Sequence, residues 1–202
     1  MASSKKNITI IGLCGGHRVG KTTLAAELAR QSAFIFVPTQ TSAVFLRHHL
    51  RPDMPLDFAT RLWIQNEVLT DAQRLWQAQT QDFITDRTPL DFIAYTLADI
   101  QAQTPVEFAA LTDYINRCFQ ATLQFFHQLI LVQPGIPLVF ETGKAALNQA
   151  YIEHLNILLL GLLHDERMQS HLMVIPRDML SLQDRCDYIL SHFTTVTSTI
   201  ED

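Results

Sequence analysis

Gly15-Gly16-His17-Arg18-Val19-Gly20-Lys21-Thr22 completes the spacing G-x-x-x-x-G-K-[ST], a run whose residue types suit the binding of a polyphosphate. Gly15 and Gly20 let the backbone wrap until successive N–H groups point inward at phosphate oxygens. Lys21 has the reach to meet the β- and γ-phosphates, and Thr22 offers a hydroxyl to Mg²⁺. Thr23 continues into a helical pattern whose N-terminus adds partial positive charge at the same point. Residues 15–23 therefore predict a site for a nucleoside triphosphate and Mg²⁺.

A second stretch, Phe83-Ile84-Thr85-Asp86-Arg87-Thr88-Pro89-Leu90-Asp91-Phe92-Ile93-Ala94-Tyr95, places a carboxylate and a guanidinium side by side after an apolar run. Asp86 at a strand end would hold Mg²⁺ through water, or orient and deprotonate an acceptor hydroxyl. Arg87 would clamp an acceptor phosphate or the charge of a transferring phosphoryl group. The alternative is that the pair merely caps the helix from Thr88 to Tyr95. Asp91 reads as an acid of that helix's first turn.

These residues need elements to position them. Asn7–Cys14, Ala33–Val37, Asp82–Asp86, Gln128–Val132 and His171–Ile175 read as strands. Between them, apolar residues at helical spacing follow Thr22, run to about Leu50, and recur over Phe58–Gln77, Leu90–Ile100, within Pro105–Phe126, over Ala145–His164 and over Leu180–Phe193. Trp63 reads as a core residue of the long helix, and Arg61 with Gln65 as its same-face polar pair. Cys14 reads as a small buried core residue. The tail from Thr194 carries no strong signal. Strands alternating with helices imply an α/β chain with a parallel sheet covered on both faces. Ligands bind such sheets at the C-terminal strand ends, which places the glycine-rich loop, the Pro38–Ser42 turn and Asp86 on one rim.

At 202 residues and 48% hydrophobic, the chain suits one domain over 1–202. The polar start Met-Ala-Ser-Ser-Lys-Lys lacks the apolar core of a signal peptide, and Leu155–Leu163 is too short to span a bilayer. Three cysteines without metal-ligand spacing fit a reducing compartment, so a cytoplasmic protein with no membrane partner is expected. The remaining histidines also lack metal spacing. A net charge of −5 speaks against a broad nucleic-acid footprint. Arg47, His48, His49 and Arg51, followed by Arg61, form one local basic cluster.

The segment from Asp86 to Tyr95 resembles the D-R-[ST]-P-L-D-x-x-A-Y stretch of P-loop kinases in the nucleoside and nucleoside-monophosphate kinase group. That group includes thymidylate kinases, deoxynucleoside kinases and phage nucleotide kinases. Motif-level identity covers about twenty residues, while the order of strands and helices extends it in outline to most of the chain. The resemblance implies a three-layer P-loop kinase fold, with a five-stranded parallel sheet in the order 2-3-1-4-5. It implies ATP and Mg²⁺ as cofactors, Lys21, Arg18, Asp86 and Arg87 as catalytic residues, and Thr22 with Asp86 at the metal. A homodimer is common in this group.

Relatives with a full lid bring several arginines over the phosphates. Here residues 134–170 contain only Lys144 and Arg167 as basic residues, so a reduced lid is expected over about 134–150, with Gly143-Lys144 in its loop. Arg18 stands where one class of thymidylate kinases carries a loop arginine, and is the candidate arginine finger. The acceptor region falls at about 38–80, with Thr39, Arg47, Arg61 and Gln65 joining Asp86 and Arg87. Many deoxynucleoside kinases carry a glutamate after strand two; this chain has Val37-Pro38-Thr39-Gln40. The missing acid favours a deoxynucleoside monophosphate, which needs no base, over a nucleoside. Two other readings stay open: a kinase of a hydroxymethylated base in phage DNA, and a P-loop ATPase switch. A GTPase lacks its Asn-Lys-x-Asp motif. An AAA-type motor would carry Asp-Glu where Asp86-Arg87 stands.

Overall fold

The computed structural model describes residues 8–139, 148–168 and 171–197. The apolar runs form β1 (Ile10–Cys14), β2 (Ile35–Phe36), β3 (Phe83–Thr85), β4 (Gln128–Val132) and β5 (His171–Ile175). They make one sheet in the order 2-3-1-4-5, parallel at every pairing. In β1, Ile11 lies opposite Ile84 on one side and Gln128 on the other. Helices α1 (Lys21–Gln31), α2 (Thr41–Arg47), α3 (Phe58–Gln77), α4 (Pro89–Ala98), α5 (Phe108–Phe125), α6 (Gln149–Leu163) and α7 (Leu182–Thr197) cover its two faces.

Strand side chains alternate between two cores, as the period of two requires. Ile10, Cys14, Phe83, Leu129 and Leu131 pack with α3, α4, α5 and α6. Ile11, Leu13, Ile84, Ile130 and Val132 pack on the other face, chiefly with α1 and α7. Burial on both faces explains why these strands read as continuous apolar runs.

Several boundaries move for local reasons. β2 is reduced to Ile35–Phe36 at the sheet edge, although the Val37 N–H still donates to the Ile84 carbonyl. α2 stops at Arg47, short of Leu50, because His49 turns left-handed at φ 58. α5 begins at Phe108, where the Glu107 carboxylate accepts from the N–H groups of Ala109 and Ala110. α6 begins at Gln149 under an Asn148 cap, and the expected start at residues 145–147 lies outside the described residues. α7 continues to Thr197, past the expected end at Phe193.

One placement overturns the sequence expectation. Trp63 is 46% exposed, and its ring meets that of His48 in a T-shaped arrangement with the centroids 4.8 Å apart. The buried stripe of α3 runs through Leu62, Ile64, Gln65, Val68, Leu69, Ala72 and Trp76, which leaves Trp63 on the opposite side. Cys14 is buried, as expected. No described helix is long and apolar enough to cross a membrane.

Candidate functional site

The loop between β1 and α1 closes around its own backbone. Gly20 caps α1 with φ 89, a left-handed conformation that glycine enters without penalty. A Cβ on Gly15 would stand 2.5 Å from the Val132 carbonyl. The Lys21 amine donates to the carbonyls of Gly15 and Gly16, at 2.6 Å each. Burial, followed by the nearby Arg87 charge, lowers the Lys21 pKa to about 7, with Asp91 and Asp86 pulling the other way. Val19 is buried, whereas Thr22 and Thr23 are exposed on the first turn of α1. Arg18 holds φ 65, and its guanidinium donates to the Val139 carbonyl. With Val19 it lines a cavity of about 430 Å³ that Ile136, Leu138, Gln149 and Glu153 also border.

Asp86 sits just past β3 and is nearly buried. Its carboxylate accepts from the Thr22 hydroxyl at 2.5 Å and from the Thr39 N–H at 3.2 Å. The Thr39 hydroxyl in turn meets that of Thr85 at 2.9 Å. Thus β1, β2 and β3 deliver Thr22, Thr39 and Asp86 to one point. Among the described residues no cluster of three or more His, Cys, Asp or Glu side chains surrounds a metal position. Mg²⁺ commonly binds proteins through one or two groups, its other ligands being phosphates and water. Thr22 and Asp86 fit that demand.

The helix cap belongs to other residues than Asp86-Arg87. Thr88 and Asp91 form a capping box at the start of α4. Asp91 does more, because its second oxygen accepts from the Gly15 N–H at 3.1 Å. Lys21 lies 3.9 Å and Arg87 3.7 Å from that same oxygen. A fully buried carboxylate therefore joins the loop to α4 and faces two cations. Sequence reading saw the first-turn acid and missed this link. The Thr-x-x-Asp spacing was the available signal.

Arg87 lies over the Tyr95 ring, 5.2 Å from its centroid. The Tyr95 hydroxyl meets His17 Nδ1 at 3.3 Å, and the Tyr151 ring stands 5.7 Å from the His17 ring. His17 thereby faces α4 and α6. Tyr95 is legible in the sequence only as the last residue of the Asp86–Tyr95 motif, and Tyr151 not at all, since no spacing links either to the loop.

The other acceptor candidates separate. Gln65 is buried, and its Oε1 has no hydrogen-bond partner. Arg61 is held by Asp99 at 2.7 Å and donates to the carbonyls of Pro52 and Met54. It ties the loop before α3 to α4 and packs over Phe45. Arg47 pairs with Asp71 at 2.5 Å, on exposed surface. Within residues 134–170, Arg167 pairs with Asp165 and stacks on Phe119. Gly143 and Lys144 lie outside the described residues.

No curated protein matches the chain. Among solved structures, deoxyadenosine kinase from M. mycoides, with dCMP and dCDP bound, superposes with a TM-score of 0.67 at 16% identity, covering 93% of this chain and 100% of that one. Thymidylate kinase from Candida albicans gives 0.64 at 14% identity, over 94% and 92% of the two chains. Thymidylate kinase from Ehrlichia chaffeensis gives 0.59 at 11%, over 94% and 100%. At these identities the likeness establishes the fold, which is that of the P-loop nucleoside and nucleotide kinases. A family described as AAA domain matches residues 10–129; within that span β3 is followed by Asp86-Arg87 rather than by the Asp-Glu pair of the motors. That match spans more than half of the sequence, and the chain belongs to this AAA domain family of P-loop proteins.

Proposed function

We propose that this protein transfers the γ-phosphoryl group of ATP, with Mg²⁺, to a nucleotide or nucleoside, and that the acceptor is a deoxynucleoside monophosphate. The observation that carries this reading is the contact of Thr22 with Asp86 at 2.5 Å. It joins the glycine-rich loop to the end of β3, where the Thr39 N–H also meets Asp86 and Arg87 lies over Tyr95. Thr22 and Asp86 would hold Mg²⁺, which would supply neutralisation of phosphate charge. The chain's own residues do the rest. Loop N–H groups and Lys21 hold the donor, Arg87 grips the acceptor's phosphate, and Arg18 meets the charge of the transferring group. Gln65 offers a buried carboxamide to a base. A phosphate acceptor suits a β2 that is followed by Val37-Pro38-Thr39-Gln40 with no acid of its own, while the neighbouring Asp86 carboxylate is engaged by the Thr22 hydroxyl and the Thr39 N–H. The fold shared with deoxyadenosine and thymidylate kinases supports the same reading.

A DNA acceptor is disfavoured by the carboxylates that meet the basic cluster, Asp71 at Arg47, Glu67 at His48 and Asp53 at Arg51. The AAA domain match keeps ATP hydrolysis as the second reading, and Arg87 in place of a second acid speaks against it. The test is γ-labelled ATP and Mg²⁺ with separate sets of nucleosides, deoxynucleoside monophosphates and hydroxymethylated DNA. Label on a deoxynucleoside monophosphate is expected. Label on DNA alone would install the DNA reading, and free phosphate with no labelled acceptor would install the ATPase.

A further inference from the structure

α7 carries a buried cation that none of the chemistry above uses. Arg185 is 2% exposed. Its Nε donates to the Met179 carbonyl at 2.6 Å, and its Nη1 to the Val19 carbonyl of the phosphate loop at 3.3 Å. Its Nη2 is buried without a hydrogen-bond partner. Nη1 would stand 3.7 Å from a Cβ on Gly20, the N-cap of α1. The charge therefore lies directly behind the loop, at a helix end that is itself positive.

Among the described residues, no carboxylate stands within ion-pair distance of this guanidinium. Burial alone displaces its pKa, downward, and no neighbouring charge acts against that. Two carbonyl dipoles are modest compensation for a buried charge, and leaving such a charge unpaired is costly. The group that belongs at this loop is a polyphosphate, the one strong anion the site is built to receive.

We propose that Arg185 is a positioning residue for the donor nucleotide, its buried charge balanced by the donor's phosphates. From behind the loop it contributes positive field that the arginine-poor segment 134–170 does not supply. It also ties the β5–α7 connection, at Met179, to the phosphate loop, at Val19. Donor binding thus compensates a charge that the chain by itself carries at a loss. This inference rests on reading the loop as an ATP site.

The test is calorimetric titration of MgATP into the wild type, R185M and R185K, with melting temperatures measured without nucleotide. R185M is expected to melt close to the wild type, because the lost hydrogen bonds are offset by removal of an uncompensated charge. Its affinity for MgATP should fall by about tenfold or more. R185K, which keeps the charge, should retain most of the affinity. Wild-type affinity in R185M would overturn the proposal alone, as would an R185K as weak as R185M. A wild type that fails to bind MgATP would overturn the donor reading and this inference with it.

Discussion

Lys21 shows how much one side chain's surroundings matter. The pKa of its amine is lowered to about 7, while donor phosphates favour the charged form. Donor binding should therefore take up a proton above pH ~7, and affinity should fall as pH rises past that value. Between the folded value of about 7 and the ordinary 10.5, the unfolded chain holds the proton and the folded chain does not. Ligand-free stability should thus rise with pH across that window. Titration of MgATP at pH ~8 in two buffers of unlike ionisation heat measures the uptake directly, and no uptake would mean that Lys21 is already charged. Arg18 makes a different demand. Its left-handed backbone costs on the order of 1 kcal/mol, and such strain gathers at functional positions. Arg18→Ala should lower kcat by about 10³-fold with a far smaller change in MgATP affinity. Equal losses in both would make it a binding residue only. The loop itself was legible because its chemistry is contiguous. Asp91 was not, because its second partner, Gly15, lies in another element.

At the scale of elements, α3, β4 and β5 occupy the spans expected from periodicity and β-branched runs. Ends were harder, since caps decide them: Glu107 starts α5, Asn148 starts α6, and the Thr88–Asp91 box starts α4. Connections carry constraints that no pattern reveals. A Cβ on Gly135 would stand 2.0 Å from the Arg177 carbonyl, so the β4–α6 and β5–α7 connections touch backbone to backbone. Gly135→Ala must push them apart and should cost about 1–3 kcal/mol. Denaturant unfolding checks this, and a wild-type midpoint would show that the connections separate freely. The Arg177–Glu153 pair at 2.7 Å spans the same region and is exposed enough to contribute little.

For the whole molecule, a sheet buried between two cores fixes which face of each helix is inside. Trp76 and Trp63 lie on one helix and illustrate the consequence. Trp76 is buried, with Phe125 at 5.5 Å and Phe126 at 5.0 Å. Trp76→Ala should cost about 3–5 kcal/mol, a large part of a typical domain stability of about 5–15 kcal/mol. Trp63→Ala should change stability by no more than about 0.5 kcal/mol. Thermal or denaturant unfolding of both variants would reverse the assignment if the losses were similar. The long-helix pattern was readable, but its inward face was set by α4 and α5, which pack against it from farther along the chain.

The phosphate loop, the Asp86-Arg87 pair and the alternation of strands with helices are legible in the order of residues alone. These rest on contiguous spacing and short-range periodicity, which the chain carries wherever it folds. The resemblance to nucleoside and nucleotide kinases added the strand order, and the structure adopts it. Tertiary structure alone decided that Asp86 reaches Thr22 and that Arg47 and Arg61 are held by carboxylates. It also placed Arg185 behind the loop. Each of these depends on which side chains meet across separately folded elements, and burial with charge pairing, rather than spacing along the chain, selects those partners.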